Sequence, residues 1–280
     1  MASQAKPASD QSELSPESPM SIGSSTESKG NRKNEVHLVL QGKGGVGKSF
    51  VATILADYFS TRTTHLRCFD TDPQNPTFTT YKKFTVELVE ILGQDHSIEP
   101  SRFDRLMEAV TAPDIFSLID NGSATFLPLM NYCAESGAFE VLADSGKEVV
   151  PHIVVAGGDA TTTTLDGFEQ LMNVLPEKIR PIVWLNELHG PVSIQGINFE
   201  EMSVVKAHWP RVRSVVVLPA PRSQMFARDI QEVRKLGMTF GQAAAGEARP
   251  DTGVPFFVME RQRFKMMQRD MFEAMQKGSV

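Results

Sequence analysis

Eight consecutive residues, Gly42-Lys43-Gly44-Gly45-Val46-Gly47-Lys48-Ser49, carry the most specific chemistry in the chain. Their spacing fits G-x-x-x-x-G-K-[ST], a loop whose backbone N–H groups surround a phosphate. Its glycines let successive amides turn inward with no Cβ in the way. Lys48 would bring a point charge to the terminal phosphates of a nucleoside triphosphate, and the Ser49 hydroxyl is a hard oxygen ligand suited to Mg²⁺. The β-branched run Val36-His37-Leu38-Val39-Leu40 leads in, and a helix-forming run beginning at Phe50 leads out. Strand, glycine turn and helix together form the context such a loop needs, and the helix N-terminus adds its positive dipole end to the same anion site. Residues Gly42 to Phe50 are therefore the expected ATP cradle, with a ligand-free glycine turn as the plain alternative.

Three later apolar runs end in residues of matching chemistry. Cys68-Phe69-Asp70-Thr71-Asp72-Pro73-Gln74 sets two carboxylates at i and i+2, on one face of a strand. Asp72 at such an edge can hold Mg²⁺ through water or orient the water that attacks the γ-phosphate; a simple Asp-Pro turn is the alternative. Ile115-Phe116-Ser117-Leu118-Ile119-Asp120 would present Asp120 to the water shell of Mg²⁺, or merely cap the turn at Asn121-Gly122. Ile182-Val183-Trp184-Leu185-Asn186 ends in an amide whose donor and acceptor match the adenine edge, or in a loop-opening asparagine. A guanine site would want an acid three residues further on, where His189 stands, so ATP is favoured over GTP. Pro219 closes a further apolar run, Val217-Leu218-Pro219.

These residues need a scaffold that brings strand ends together. Near-continuous Val/Ile/Leu runs predict strands at 36–41, 64–70, 115–120, 149–156, 181–186 and 214–219. Helices are predicted at 48–60, 102–112, 164–175, 199–207 and 222–235. The alternation implies an α/β fold: a doubly wound, mostly parallel sheet with helices on both faces, three layers deep, and ligands at the C-terminal ends of its strands. Residues 1–34, rich in Ser, Pro, Glu and Lys, read as a disordered tail, and 35–280 as one domain. Near the end, Phe264, Met267, Met271 and Met275 recur at helical spacing, with Arg261, Arg263, Lys265 and Arg269 among them. Such an amphipathic helix could lie on a membrane, bind a partner, or pack on the sheet.

Composition narrows the class. A formal net charge of -6 does not point to nucleic acid, although Arg211 and Arg213 could form a local basic patch. The two cysteines, Cys68 and Cys133, have no ligand spacing and read as reduced thiols of a cytoplasmic protein. No apolar run approaches the roughly 18 residues of a membrane span.

The loop resembles the deviant Walker A pattern K-G-G-x-G-K-[ST] of the ParA and MinD ATPases, because Lys43 adds a second lysine five residues before Lys48. That resemblance implies an ATP-dependent homodimer in which Lys43 reaches the partner's phosphates. It implies a switch role for Asp72, a base contact for Asn186 and a place beside the base for Pro219. It also implies a Mg²⁺-dependent ATPase of low turnover, with Lys43, Lys48 and Asp72 governing hydrolysis. Asn121-Gly122-Ser123-Ala124 departs from that family, which continues with a threonine and a proline-glycine stretch. Together with Asp70-Thr71-Asp72-Pro73, Asp120-Asn121-Gly122, Val183-Trp184-Leu185-Asn186 and Arg261-Gln262-Arg263, it makes residues 35–275 similar to TraL-type conjugal-transfer proteins. The implied role is an accessory factor in plasmid DNA transfer with plasmid-encoded protein partners, cytoplasmic or peripheral at the inner membrane. A partition ATPase on non-specific DNA and a nucleotide-sensing scaffold are the alternatives.

Overall fold

The computed structural model describes Met1 and residues 34–280, so the tail assigned to 1–34 lies, apart from its two ends, outside the described residues. The strands are β1 (Glu35–Leu40), β2 (Leu66–Asp70), β3 (Val86–Leu88), β4 (Phe116–Asp120), β5 (Glu148–Ala156), β6 (Ile182–Asn186), β7 (Ser193–Ile194), β8 (Ile197–Asn198) and β9 (Ser214–Leu218). The helices are α1 (Lys48–Ser60), α2 (Phe103–Thr111), α3 (Phe126–Ser136), α4 (Ala138–Asp144), α5 (Thr161–Val174), α6 (Ser203–His208), α7 (Gln224–Lys235), α8 (Phe240–Ala245) and α9 (Val258–Lys277). Seven strands form one parallel sheet in the order β3-β2-β4-β1-β5-β6-β9, and β7 and β8 make a small hairpin.

Parallel strands covered on both faces have no polar side, which is why β1 reads as an apolar run interrupted only by His37, itself buried. Its Val36, Leu38 and Leu40 enter one core, packed by α2 to α6, while Val39 enters the other, under α1, α7, α8 and α9. The register fixes the site. Val39 aligns with Asp120, Asp70 with Asp120, Ala156 with Asn186, and Asn186 with Leu218. The loops that follow these strands therefore open along one edge of the sheet, its C-terminal edge.

The six predicted strands are present to within two residues, and α1 has the predicted ends. Several elements were not foreseen. The edge strand β3 is three residues long, too short to show a period. In α3, Pro128 is the third residue, where a first turn tolerates it although it reads as a breaker. Gly137, at φ 64, bends the chain directly from α3 into α4. The helix predicted at 199–207 is a 3₁₀ turn, Phe199–Glu201, and α6, separated by an extended Met202 at ψ 138.

The C-terminal helix packs on the sheet, the third of the roles open to it. Phe264, Met267 and Met275 are buried in the α1-side core, with Met271 and Phe272 packed against it. Phe272 meets Tyr58 edge-on at 5.2 Å, and Gln268 donates to Asp57 at 3.0 Å. Arg263 forms a bidentate pair with Asp229 of α7, and the Arg261 guanidinium reaches the last carbonyls of α8. Phe264, Met267 and Met275 are thus taken up by the core, while Phe257, Val258 and Met259 at the start of the helix are exposed. Among the described residues no helix is long and apolar enough to cross one.

Candidate functional site: a phosphate loop at the sheet edge

The loop between β1 and α1 is built on glycines that take conformations other residues avoid. Gly45 and Gly47 have φ of 75° and 98°, and a Cβ on Gly47 would sit 2.5 Å from the Asn186 amide. Gln41 anchors the start of the loop. Its buried amide donates to the carbonyls of Val154 (2.8 Å) and Thr164 (3.0 Å), tying the loop to β5 and α5. Gly42, Lys43, Gly44 and Gly45 are exposed, so the cradle faces outward. Lys43 lies on this exposed rim, and its ammonium makes no hydrogen bond or ion pair among the described residues.

Lys48 is folded back over its own loop. Its ammonium donates to the Lys43 carbonyl at 3.1 Å and to Ser123 Oγ at 2.7 Å. Burial pushes the Lys48 pKa down, while Asp120 and Asp72 pull it up. The Ser49 hydroxyl lies close enough to the Asp120 carboxylate to favour its charged form. Asp120 is 2% exposed, and its Oδ1 has no hydrogen-bond partner among the described residues. Burial raises its pKa to about 7, with Asp70 and Asp72 adding to the rise and Ser49 and Lys48 opposing it. A buried carboxylate oxygen without a donor is costly unless something else fills the gap. A hard divalent cation fits that oxygen and the adjacent Ser49 hydroxyl. Mg²⁺ needs only one or two carboxylates because it keeps several waters, and the described residues hold no cluster of three or more His, Cys, Asp or Glu side chains.

Asp72 reaches the same neighbourhood from β2 and also realises the turn reading. Its Oδ1 accepts N–H groups of Gln74 (3.2 Å) and Asn75 (3.0 Å), closing the Asp-Pro turn. Its Oδ2 makes no hydrogen bond among the described residues. Asp70 is structural: its two oxygens accept from the backbone of Asp72 (2.9 Å) and Phe78 (3.0 Å), and burial lifts its pKa to about 6.

Asn186 stands against the loop. Its amide donates to the Val46 carbonyl at 2.9 Å, and its Oδ1 accepts from Leu188 N–H at 3.2 Å. One donor and one lone pair remain for a base; the rest of the side chain braces the cradle. Phe50 points away from the loop, 6% exposed, edge-on to Phe240 at 6.0 Å with the Arg234 guanidinium over its ring. Only its backbone is placed to join the cradle. Pro219 is exposed just beyond β9. The arginines considered for a basic patch are occupied. Arg211 donates to the carbonyls of Met172, Leu175 and Pro176 around the end of α5, and Arg213 pairs with Glu148 at 2.6 Å.

Sequence reasoning gave no role to Ser123, Thr71 or the Asn121 side chain. Asn121 is fully buried, and its Oδ1 accepts from Thr71 (2.9 Å) and Thr125 (3.1 Å), clamping the loop after β4 to the loop after β2. The departure at Asn121-Gly122-Ser123 was the available signal, because a polar triplet replaces the expected proline-glycine stretch immediately after the strand acid.

Comparison with known proteins gives the family. Residues 38–277 match the CobQ/CobB/MinD/ParA nucleotide binding domain. Two curated relatives, both named Protein TraL and both from Escherichia coli, are 37% and 35% identical over 246 residues, covering 88% of this chain and 99% of each relative. Among solved structures, a chain of the MinC:MinD cell division protein complex of Aquifex aeolicus aligns with a TM-score of 0.47 and 12% identity, covering 85% of this chain and 96% of that one.

Proposed function

The chain belongs to the CobQ/CobB/MinD/ParA nucleotide-binding family and is similar to TraL proteins, and from that premise we propose that it is an ATP-dependent dimerising switch serving plasmid conjugal DNA transfer. The single observation that carries the reading is the pairing of a buried Asp120 oxygen with no partner among the described residues and a buried Lys48 whose bonds among those residues go to its own loop and to Ser123. Both are groups that a magnesium nucleotide would complete.

In this reading the amides of the loop from Gly42 to Ser49 bind the phosphates of ATP, and Lys48 turns from Ser123 to the terminal phosphates. Ser49 and Asp120 would hold Mg²⁺, with Asp72 reaching it through water. When bound, that ion neutralises charge on the phosphate oxygens. Asn186 contacts the base with its remaining donor and acceptor while keeping Val46 in place, and Pro219 lies beside the base. Asp72 orients the attacking water through Oδ2. Lys43, exposed on the rim, extends to a second copy's phosphates, where a cation meets charge that develops during transfer. Hydrolysis is slow and resets the dimer to monomers. TraL kinship supports a protein partner within the transfer apparatus. With Arg211 and Arg213 occupied, no observation favours a non-specific DNA track.

Mass measurement by light scattering tests the cycle. The wild-type chain should double in mass with Mg-ATP and not with Mg-ADP, and Lys43→Ala should stay monomeric. One mass under all three conditions would contradict the dimer.

A further inference from the structure

We propose that Ser123 reads the terminal phosphate: its hydroxyl holds the place of a γ-phosphate oxygen on Lys48 in the empty loop and becomes a donor to that phosphate when a triphosphate binds. This role presupposes the nucleotide site proposed above and adds to it the residue that separates ATP from ADP.

Three observations support it. Lys48 Nζ donates to Ser123 Oγ at 2.7 Å, so the serine oxygen is acting as an acceptor for the lysine that a phosphate would otherwise engage. An ammonium has no lone pair, so the Ser123 O–H proton is not spent in this bond, and no other acceptor for it occurs among the described residues. A Cβ on Gly44 would lie 3.5 Å from the same Oγ, which places the hydroxyl beside that exposed glycine of the cradle. An anion seated there takes over the lysine and leaves the serine with a free donor facing it. Such a donor-to-anion bond is stronger than a neutral one.

The consequence is not confined to one bond. Ser123 follows Gly122, which packs on Asp72, and Asn121, which is bonded to Thr71. Exchange of the Lys48 partner therefore moves a loop that is fastened to the residues after β2. A diphosphate fills the β-phosphate position without supplying the group that Ser123 would meet, so its binding should be indifferent to the hydroxyl.

The test is competition against a fluorescent ADP bound to the full chain with Mg²⁺, using ADP and the non-hydrolysable AMPPNP as competitors. Ser123→Ala should lower the ratio of AMPPNP to ADP affinity roughly tenfold, the size of one charge-assisted hydrogen bond. Ser123→Thr, which keeps the hydroxyl, should retain the wild-type ratio. If the alanine variant does not fold, Ser123→Gly removes the same hydroxyl without adding a methyl group. An unchanged ratio in the hydroxyl-free variant, or a threonine variant behaving like alanine, would overturn the assignment while leaving the nucleotide site standing. If the wild type fails to bind the fluorescent ADP at all, the nucleotide site falls and this role falls with it.

Discussion

Gly122 and Asp72 touch so closely that a Cβ on the glycine would lie 2.8 Å from the Asp72 Cβ and 2.9 Å from its Cα. Backbone of the loop after β4 thus rests on backbone of the loop after β2, and no side chain can enter between them. Gly122→Ala must separate the two loops or distort one of them. A cost of about 1–3 kcal/mol in unfolding free energy is expected from overpacking at a buried contact, together with loss of hydrolysis through displaced Asp72. Urea unfolding and phosphate release measure the two effects. An alanine variant with native stability and native phosphate release would show that this contact positions nothing.

Asp120 gives a pH-dependent stability with a defined sign. Its folded pKa, about 7, lies above the ordinary carboxylate value of 3.8. A raised carboxyl pKa means that the folded chain holds a proton that the unfolded one releases. The stability from this group is therefore full below pH 4 and is lost as pH rises through 7. Asp120→Asn, which is neutral at every pH, should stabilise the nucleotide-free protein most at pH 8 and by about 2–3 kcal/mol less at pH 5, where the folded carboxyl is still protonated. It should also abolish Mg²⁺-dependent nucleotide binding. Thermal melts at the two pH values decide the matter, and an equal shift at both would contradict the assignment.

A second titration runs the opposite way. The Trp184 indole donates to His152 Nδ1 at 2.8 Å, and an indole can only donate. His152 is therefore the neutral tautomer with its proton on Nε2, which meets His37 Nδ1 at 2.7 Å. His37 Nε2 in turn faces Glu35 at 2.9 Å. Burial, then His37, holds the His152 pKa well below 6.5. The unfolded chain gains a proton there that the folded chain refuses, so stability present above pH 6.5 falls as pH drops, by up to about 1.4 kcal/mol per pH unit. His152→Gln presents an acceptor and a donor without titrating, and should flatten the acid limb between pH 6.5 and 5 in urea unfolding. Parallel acid limbs in the two proteins would contradict this.

Much of the scaffold was legible because its signals are local. Most of the parallel strands are near-continuous apolar runs, and α1 begins at the lysine of a glycine loop. The acids at strand ends declared themselves by following Ile119 and Phe69. What was hidden depends on contacts between distant segments. Asn121 reads as half of a turn pair, yet its amide joins Thr71 to Thr125, a pairing visible only once β2 and β4 are neighbours. Ser123 carries no motif, and its meaning comes from the position of Lys48. Phe50 adjoins the cradle in sequence, and the helical turn sends its ring into the core while its backbone stays at the loop. Arg211 and Arg213 look like free charge in the sequence, while the fold spends them on the end of α5 and on Glu148.

Calorimetric titration of the purified full chain with Mg-ATP, beside Lys48→Ala, tests the central claim most directly. A saturable heat with one nucleotide per chain is expected for the wild type, with affinity falling at least about a hundredfold in Lys48→Ala, as removal of a buried phosphate-binding charge requires. No heat with the wild type, or the same heat with both proteins, would contradict a phosphate cradle at Gly42–Ser49.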